Sequence, residues 1–376
     1  MSSLLDIQTP AALIDIARMD RNIARMQDRM NTLGVRFRPH VKTTKCTAVA
    51  ERQRAAGATG ITVSTLLEAE QFHAAGYDDI LYAVCISPQQ LGRIQALRDR
   101  GCRLKILVDS SAAAQAVVGA VSAQNPHEVL IEVDTDGHRS GVGPEEDRLI
   151  DIAGIIYDGG AVLCGVLTHA GNSYELHDAD ALTALAEQER ALSVRAAERI
   201  RAAGLPCPVV SVGSTPTGLS ARHLDGVTEV RCGVYVLFDL FQSNVGVCAI
   251  DDIALSVVTT VIGHQPEKGW IIVDAGWMAM SRDRGTARQL RDYGYGMVCD
   301  LDGKAWRKDV VMVAANQEHG IIAVTDDNGM SLADRFPIGM RLRILPNHAC
   351  ATGAQYPAYY ALENSKLETW SRFNGW

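Results

Sequence analysis

Val35-Arg36-Phe37-Arg38-Pro39-His40-Val41-Lys42-Thr43 is an apolar run of strand length that ends on titratable groups. Before it, Met19, Ile23, Met26, Met30 and Leu33 fall at steps of three and four, one apolar face of a helix, and Gly34 supplies the stop. Runs of the same kind recur at residues 60–64, 80–84, 104–109, 128–134, 162–168, 209–212 and 227–231, with amphipathic segments between most of them. The segment 178–203 sets Leu182, Leu185, Leu192, Ala196 and Ile200 on one face and stops at Gly204, with Pro206 beyond. Eight strand signals alternating with helices predict an α/β chain whose N-terminal part is a (β/α)8, TIM-like barrel. An open doubly wound sheet is the rival that the pattern alone leaves standing.

From about residue 246 the pattern changes. Residues 255–263, 270–274, 310–315, 321–325 and 341–345 read as strands with turn-like spacers and no long helices, which predicts a second, C-terminal all-β domain. The expected division is a barrel over 10–245 and a β domain over 246–376. The early strand at 11–16 has no place in the barrel, so residues 1–16 are expected to join the β domain.

The chain has 376 residues, 47% of them hydrophobic, enough for a large core and for more than one average domain. A formal net charge of -8, without a long basic run, argues against nucleic acid and anionic membrane surfaces as partners. Nine cysteines are scattered without a CxxC, several inside apolar runs, which suits a reducing compartment better than a disulfide scaffold. The first ten residues lack a signal pattern and no stretch of eighteen apolar residues occurs, so a cytoplasmic protein is expected.

In such barrels the functional groups gather at the C-terminal ends of the strands. Lys42 stands at the first of these ends. A partly desolvated lysine there is a usable nucleophile, although most lysines, read alone, are solvated surface charges, here in the basic turn of Arg38, His40 and Lys45. The seventh strand ends Gly213-Ser214-Thr215 and the eighth ends Gly233-Val234-Tyr235. Backbone N–H groups, hydroxyls and glycine there suit a phosphate, though two ordinary loops would read the same way. Asp134 and Asp136 could hold a metal or simply shape the loop that presents Arg139. His348-Ala349-Cys350 is read as extended, which puts imidazole and thiolate on one side to grip a cation. Nitrogen with sulfur favours zinc, and two protein ligands leave positions open.

Taken together, Arg38-Pro39-His40-Val41-Lys42-Thr43-Thr44-Lys45, Gly137-His138-Arg139-Ser140-Gly141-Val142, Thr168-His169-Ala170-Gly171, Gly213-Ser214-Thr215-Pro216-Thr217 and Pro346-Asn347-His348-Ala349-Cys350 resemble the D-serine dehydratase and D-threonine aldolase family of alanine-racemase-like pyridoxal 5'-phosphate enzymes. The resemblance covers nearly the whole chain, in family order. It implies that Lys42 carries the cofactor, that His169 packs on the pyridine ring and that Arg139 lies near the phenolic oxygen. Tyr174 and Arg231 would lie near the pyridine nitrogen. Gly213, Ser214, Thr215, Gly233, Val234 and Tyr235 would hold the phosphate. His348 and Cys350 would bind a catalytic divalent metal: zinc by ligand type, with manganese, cobalt or magnesium as alternatives. His40 and Gln317 are candidates to touch substrate.

The activity implied is loss of water and ammonia from a D-3-hydroxy amino acid, giving oxaloacetate from 3-hydroxyaspartate or pyruvate from D-serine. Cys350 favours this over D-threonine aldolase-type cleavage to glycine and an aldehyde, because the aldolases carry His-x-Asp there. A barrel that holds the cofactor without catalysis is a further alternative, disfavoured by the β domain. The resemblance also implies a homodimer.

Overall fold

The eight apolar runs pair side by side, all in parallel. The computed structural model describes residues 4–306, 310–324 and 330–376. Its barrel strands are Arg36–Phe37, Ile61–Val63, Asp79–Cys85, Arg103–Val108, Glu128–Glu132, Val162–Leu167, Val209–Val212 and Glu229–Val230. The sheet runs from the first strand through the eighth, seventh, sixth, fifth, fourth and third to the second. Beyond Phe37 the backbone stays paired: His40 bridges Thr62 in parallel, and the Thr62 N–H donates to the Pro39 carbonyl at 2.8 Å. That bridge joins first strand to second and closes the cylinder, so the (β/α)8 expectation holds and the open sheet does not.

Apolar side chains fill part of the interior, where Leu81, Leu107, Leu130, Cys164 and Leu167 form one buried cluster. The rest is a chain of charges. Arg38, 3% exposed, donates from Nε to Glu229 at 3.0 Å and from both terminal nitrogens to Asp79 at 3.0 and 3.1 Å. Lys105 reaches Asp79 at 2.7 Å from the other side. Glu229 accepts the Ser211 hydroxyl at 2.8 Å, and Ser211 accepts from Arg231 Nε at 2.9 Å. Arg38, read from sequence as part of a basic turn, is therefore an interior ion-pair residue.

The second unit comprises Met1–Ile23 and Val234–Asn374, against Ala24–Gly233 with Gly375–Trp376 for the barrel unit. It is a nine-stranded, largely antiparallel sheet. Ala11–Asp15 lies inside it, antiparallel to Leu255–Gln265 and parallel to Ala358–Glu363. Three strands escaped the sequence reading. Met297–Cys299 is only three residues long, and Ala358–Glu363 with Lys366–Ser371 forms a hairpin. The hairpin turn, Asn364-Ser365, takes φ +47 and +66, the left-handed pair that tight hairpins require. Strand Gly320–Ala323 ends short of the expected 321–325, whose last residue, Thr325, lies outside the described residues.

Arg38→Met would leave buried Glu229 without its cation and half-buried Asp79 with Lys105 alone, and should cost about 3–5 kcal/mol. Although burial pushes the other way, Arg38 and Lys105 hold the Asp79 carboxyl down at about 2. A depressed carboxylate contributes stability that is complete above its unfolded value, 3.8, and is lost as pH falls through 2. Urea melts should therefore show the gap between the two proteins shrinking below pH 4. A gap that is constant down to pH 2 would refute the pairing.

Candidate active site at the barrel mouth and a histidine–cysteine pair in the β unit

Lys42 occupies a single 3-10 turn, Val41–Thr43, directly after the strand pairing ends. Of the four basic groups in that motif, Arg38 is buried, His40 and Lys45 are half-buried and Lys42 is exposed. Lys45 holds the turn: it takes φ +47, its N–H donates to Val41 at 2.8 Å and its Nζ pairs with buried Glu68 at 3.1 Å. Gly233 packs on the same turn, where a Cβ would lie 3.1 Å from Thr43 Oγ1 and 3.2 Å from the His40 carbonyl.

Two histidines report the charge of this mouth. Burial, then Lys42, drives His169 down to about 3, with Arg231 and Arg139 adding to it. Burial, then Lys42, Arg231 and His169, drives His40 well below its ordinary value. Both rings are neutral at physiological pH, first because they are buried and then because cations crowd the mouth. His169 donates from Nδ1 to the Gly213 carbonyl at 3.1 Å, and its ring centroid lies 6.1 Å from that of Tyr174. Arg231, 4% exposed, spends Nε on Ser211 and one terminal nitrogen on the Thr168 carbonyl. Lys42, Arg231 and Arg139 around a neutral imidazole fit an anionic aromatic phosphate such as pyridoxal phosphate.

Two backbone amides of the expected phosphate cup already have partners within the protein. The Gly213 N–H donates to Glu189 Oε1 at 2.9 Å. The Ser214 N–H goes to Thr217 Oγ1 at 3.1 Å, and the Ser214 hydroxyl caps the helix Thr215–Ser220. Those two amides are committed inside the protein, because Gly213 and Ser214 shape the loop. Thr215 and Gly233 are the remaining candidates in this unit; Val234 and Tyr235, on the turn Val234–Val236, pack with the other unit.

Arg139 lies 3.7 Å from Glu132, which also accepts the Cys85 thiol at 3.0 Å. Cys85, Asp109 and Glu132 place three potential metal-ligand atoms within 4.8 Å of one another. Burial first, then Glu132, pushes the Cys85 thiol far up, so it is a protonated donor there. Asp134 and Asp136 serve the loop: Asp134 accepts the Gly137 N–H at 2.7 Å and Asp136 the Asn172 N–H at 2.9 Å.

In the β unit, His348-Ala349-Cys350 is not a strand. His348 is extended, at φ -136 and ψ 108, but Ala349–Gly353 is a helix. Asp239, 110 residues away, accepts the Ala349 N–H at 2.9 Å and so starts that helix, a long-range partner that local pattern cannot show. Imidazole and thiol still meet. Burial opposes it, but Cys350 foremost, then Asp283, hold His348 well above its ordinary value. His348 Nδ1 donates to Asp283 at 2.5 Å, which leaves Nε2 as the nitrogen for a cation. A carboxylate-oriented imidazole beside a thiol is the donor arrangement that a zinc-type ion takes. Gln317 is exposed, with Nε2 3.4 Å from Glu318. Arg282 stacks on Trp277 and Arg284 pairs with Asp292 at 2.7 Å.

Sequence reading missed Glu189, Asp239 and Asp283. Glu189 had a signal: it falls on the buried face Leu182, Ala186, Ser193, Ala196, Ile200 of the helix Ala179–Ala202, a charge where an apolar residue belongs. Asp283 had none.

Comparison with known proteins agrees with this architecture. The family model described as alanine racemase, N-terminal domain, matches residues 14–240, and that of a putative serine dehydratase domain matches 254–362. The D-threo-3-hydroxyaspartate dehydratase of Delftia sp. (strain HT23) is 64% identical, over 100% of this chain and 99% of its own. A structure of D-threo-3-hydroxyaspartate dehydratase, solved as a cysteine-to-alanine mutant in the metal-free form, superposes with TM-score 0.98 at 63% identity and full coverage of both chains. The 3-hydroxy-D-aspartate aldolase of Paracoccus denitrificans (strain Pd 1222) is 27% identical, over 97% of this chain and 91% of its own. This chain belongs to the family in which an alanine-racemase-type barrel is joined to a serine dehydratase domain.

Proposed function

We propose that this protein is a pyridoxal-phosphate- and divalent-metal-dependent ammonia-lyase that converts D-threo-3-hydroxyaspartate to oxaloacetate and ammonia, with D-serine as a second substrate. The observation that carries the reading is the full-length, 64% identity to a dehydratase of that substrate. Cys350, paired with His348, supports it over the aldolase alternative.

Pyridoxal phosphate, when bound, supplies an electron sink for negative charge at Cα. Lys42 would hold it, with His169, Arg139, Tyr174 and Arg231 around it and Thr215, Gly233, Val234 and Tyr235 as phosphate partners. Lys42 Nζ removes the Cα proton, and the short turn that carries it, held by Lys45 and Glu68, fixes where that nitrogen stands. His40 and His169, neutral, do not compete for that proton. Burial lowers the Arg231 guanidinium, but a guanidinium keeps its proton in proteins, and Ser211 and Thr168 accept from it. Hydroxide is a poor leaving group. A cation on His348 and Cys350 would supply Lewis-acid help at the 3-hydroxyl. Asp283 keeps the imidazole turned for that ion. The nitrogen and sulfur donors favour zinc. A metal-free cysteine mutant among the dehydratase structures supports a cysteine ligand. The nine free cysteines support a reducing, cytoplasmic compartment, and the family resemblance supports a homodimer acting on a small molecule.

Incubating the protein, pyridoxal phosphate and a divalent metal with D-threo-3-hydroxyaspartate, D-serine and D-threonine should release ammonia and matching 2-oxo acid. Glycine and an aldehyde instead would make it an aldolase, and bound cofactor with no turnover a binding protein. Borohydride treatment followed by peptide mass mapping should fix the cofactor on Lys42; Lys42→Ala should show no such adduct and lose roughly a thousandfold or more in kcat. Cys350→Ala should keep the cofactor adduct but lose both metal and activity, because one of only two protein ligands is gone. Full activity of the unaltered protein after rigorous chelation would remove the metal from the mechanism.

A further inference from the structure

Glu189 is a carboxylate buried to 2% exposure in the middle of a long helix, and the chemistry above gives it no task. A buried carboxylate is tolerated only when donors surround it. Its Oε1 accepts the N–H of Gly213 at 2.9 Å and the N–H of Ala170 at 3.2 Å. Burial pushes this carboxyl above its ordinary value, while the Thr217 hydroxyl, the two amides and nearby Arg231 pull against it. Thr217 Oγ1 in turn accepts the Ser214 N–H at 3.1 Å. Both peptide groups flanking Gly213 are thus tied to one carboxylate, one directly and one through Thr217.

Gly213 needs that grip. It takes φ +130, and a Cβ there would lie 2.4 Å from the Arg231 carbonyl, so no other residue fits. A glycine alone leaves the direction of its carbonyl soft. That carbonyl accepts from His169 Nδ1 at 3.1 Å, and the Ala170 N–H belongs to the peptide group that follows His169. One carboxylate therefore fixes both the acceptor of the imidazole and the backbone that carries it.

We propose that Glu189 is a positioning residue that locks His169 into the Nδ1–H tautomer by holding Gly213 and Ala170 together. That lock matters for catalysis only through the proposed contact of His169 with the cofactor, but the lock itself does not depend on it. The test is imidazole nitrogen NMR on the full chain labelled at histidine, before and after pyridoxal phosphate is added, with a His169→Gln control for assignment. Cofactor affinity is read from its absorbance in the same samples.

The unaltered protein and Glu189→Gln, which keeps an acceptor oxygen, should show a single Nδ1–H signal for His169. Glu189→Met, of similar length without an acceptor, should show mixed tautomers and roughly tenfold weaker cofactor binding. A single Nδ1–H tautomer with unchanged affinity in Glu189→Met overturns the proposal. Should that variant not fold, amide exchange in the unaltered protein decides: protection of Gly213 and Ala170 at the level of the barrel strands supports the lock, and exchange at loop rates overturns it. A failed cofactor assignment would show separately, as no binding by the unaltered protein.

Discussion

The pairing of Arg38 with Glu229 inside the barrel is the constraint on which the rest of the mouth depends. Glu229 would be costly to bury alone, and so would Arg38. Joined, they continue through Ser211 to Arg231, whose guanidinium is a fixed cation at the pocket. The Ser211 hydroxyl has one consistent direction in this chain: its proton faces Glu229 and its lone pair faces Arg231. The scaffold thus delivers a charge of set position to the strand ends, which adds, with Lys42, to the burial that keeps His40 and His169 neutral.

Two forms of support recur around the functional groups. Lys42 is presented on a turn whose neighbour, Lys45, is held in a left-handed conformation by Glu68. His348 is presented by Asp283 on its ring and by Asp239 on the helix that follows it. In both places a carboxylate distant in sequence supplies what the local chain lacks. The reactive group needs rigidity, and a hydrogen-bonded carboxylate provides it at short range.

How much was legible in sequence follows from this division. The barrel was, because each strand is an apolar run and each helix a period of three and four. Lys42, His169 and Arg139 were, because they stand in motifs at strand ends. The histidine–cysteine pair was found for a geometric reason that fails: it lies at a helix start, made by Asp239 rather than by any residue nearby. Gly213 and Ser214 read as phosphate donors because glycine and hydroxyl groups at strand ends look open. Their amides are taken by Glu189 and Thr217, and neither bond leaves a trace in the motif itself. Glu189 escaped the sequence reading, although it is a charge on the apolar face of its helix.

The strand Ala11–Asp15 carries a consequence for biosynthesis. It is made well before either of its two sheet partners, Leu255–Gln265 and Ala358–Glu363. The barrel residues, 24–233, are complete on the ribosome long before the second partner emerges. A short, sticky segment must therefore wait unpaired while most of the chain is translated, and the pairings that finally seat it span some 240 to 350 residues, as the registers Ala11 to Val258 and Leu13 to Tyr360 show. Such late, long-range closure is slow and exposes an edge to other chains. Production of this protein should accordingly be more sensitive to chain concentration and chaperone supply than its well-filled barrel would suggest.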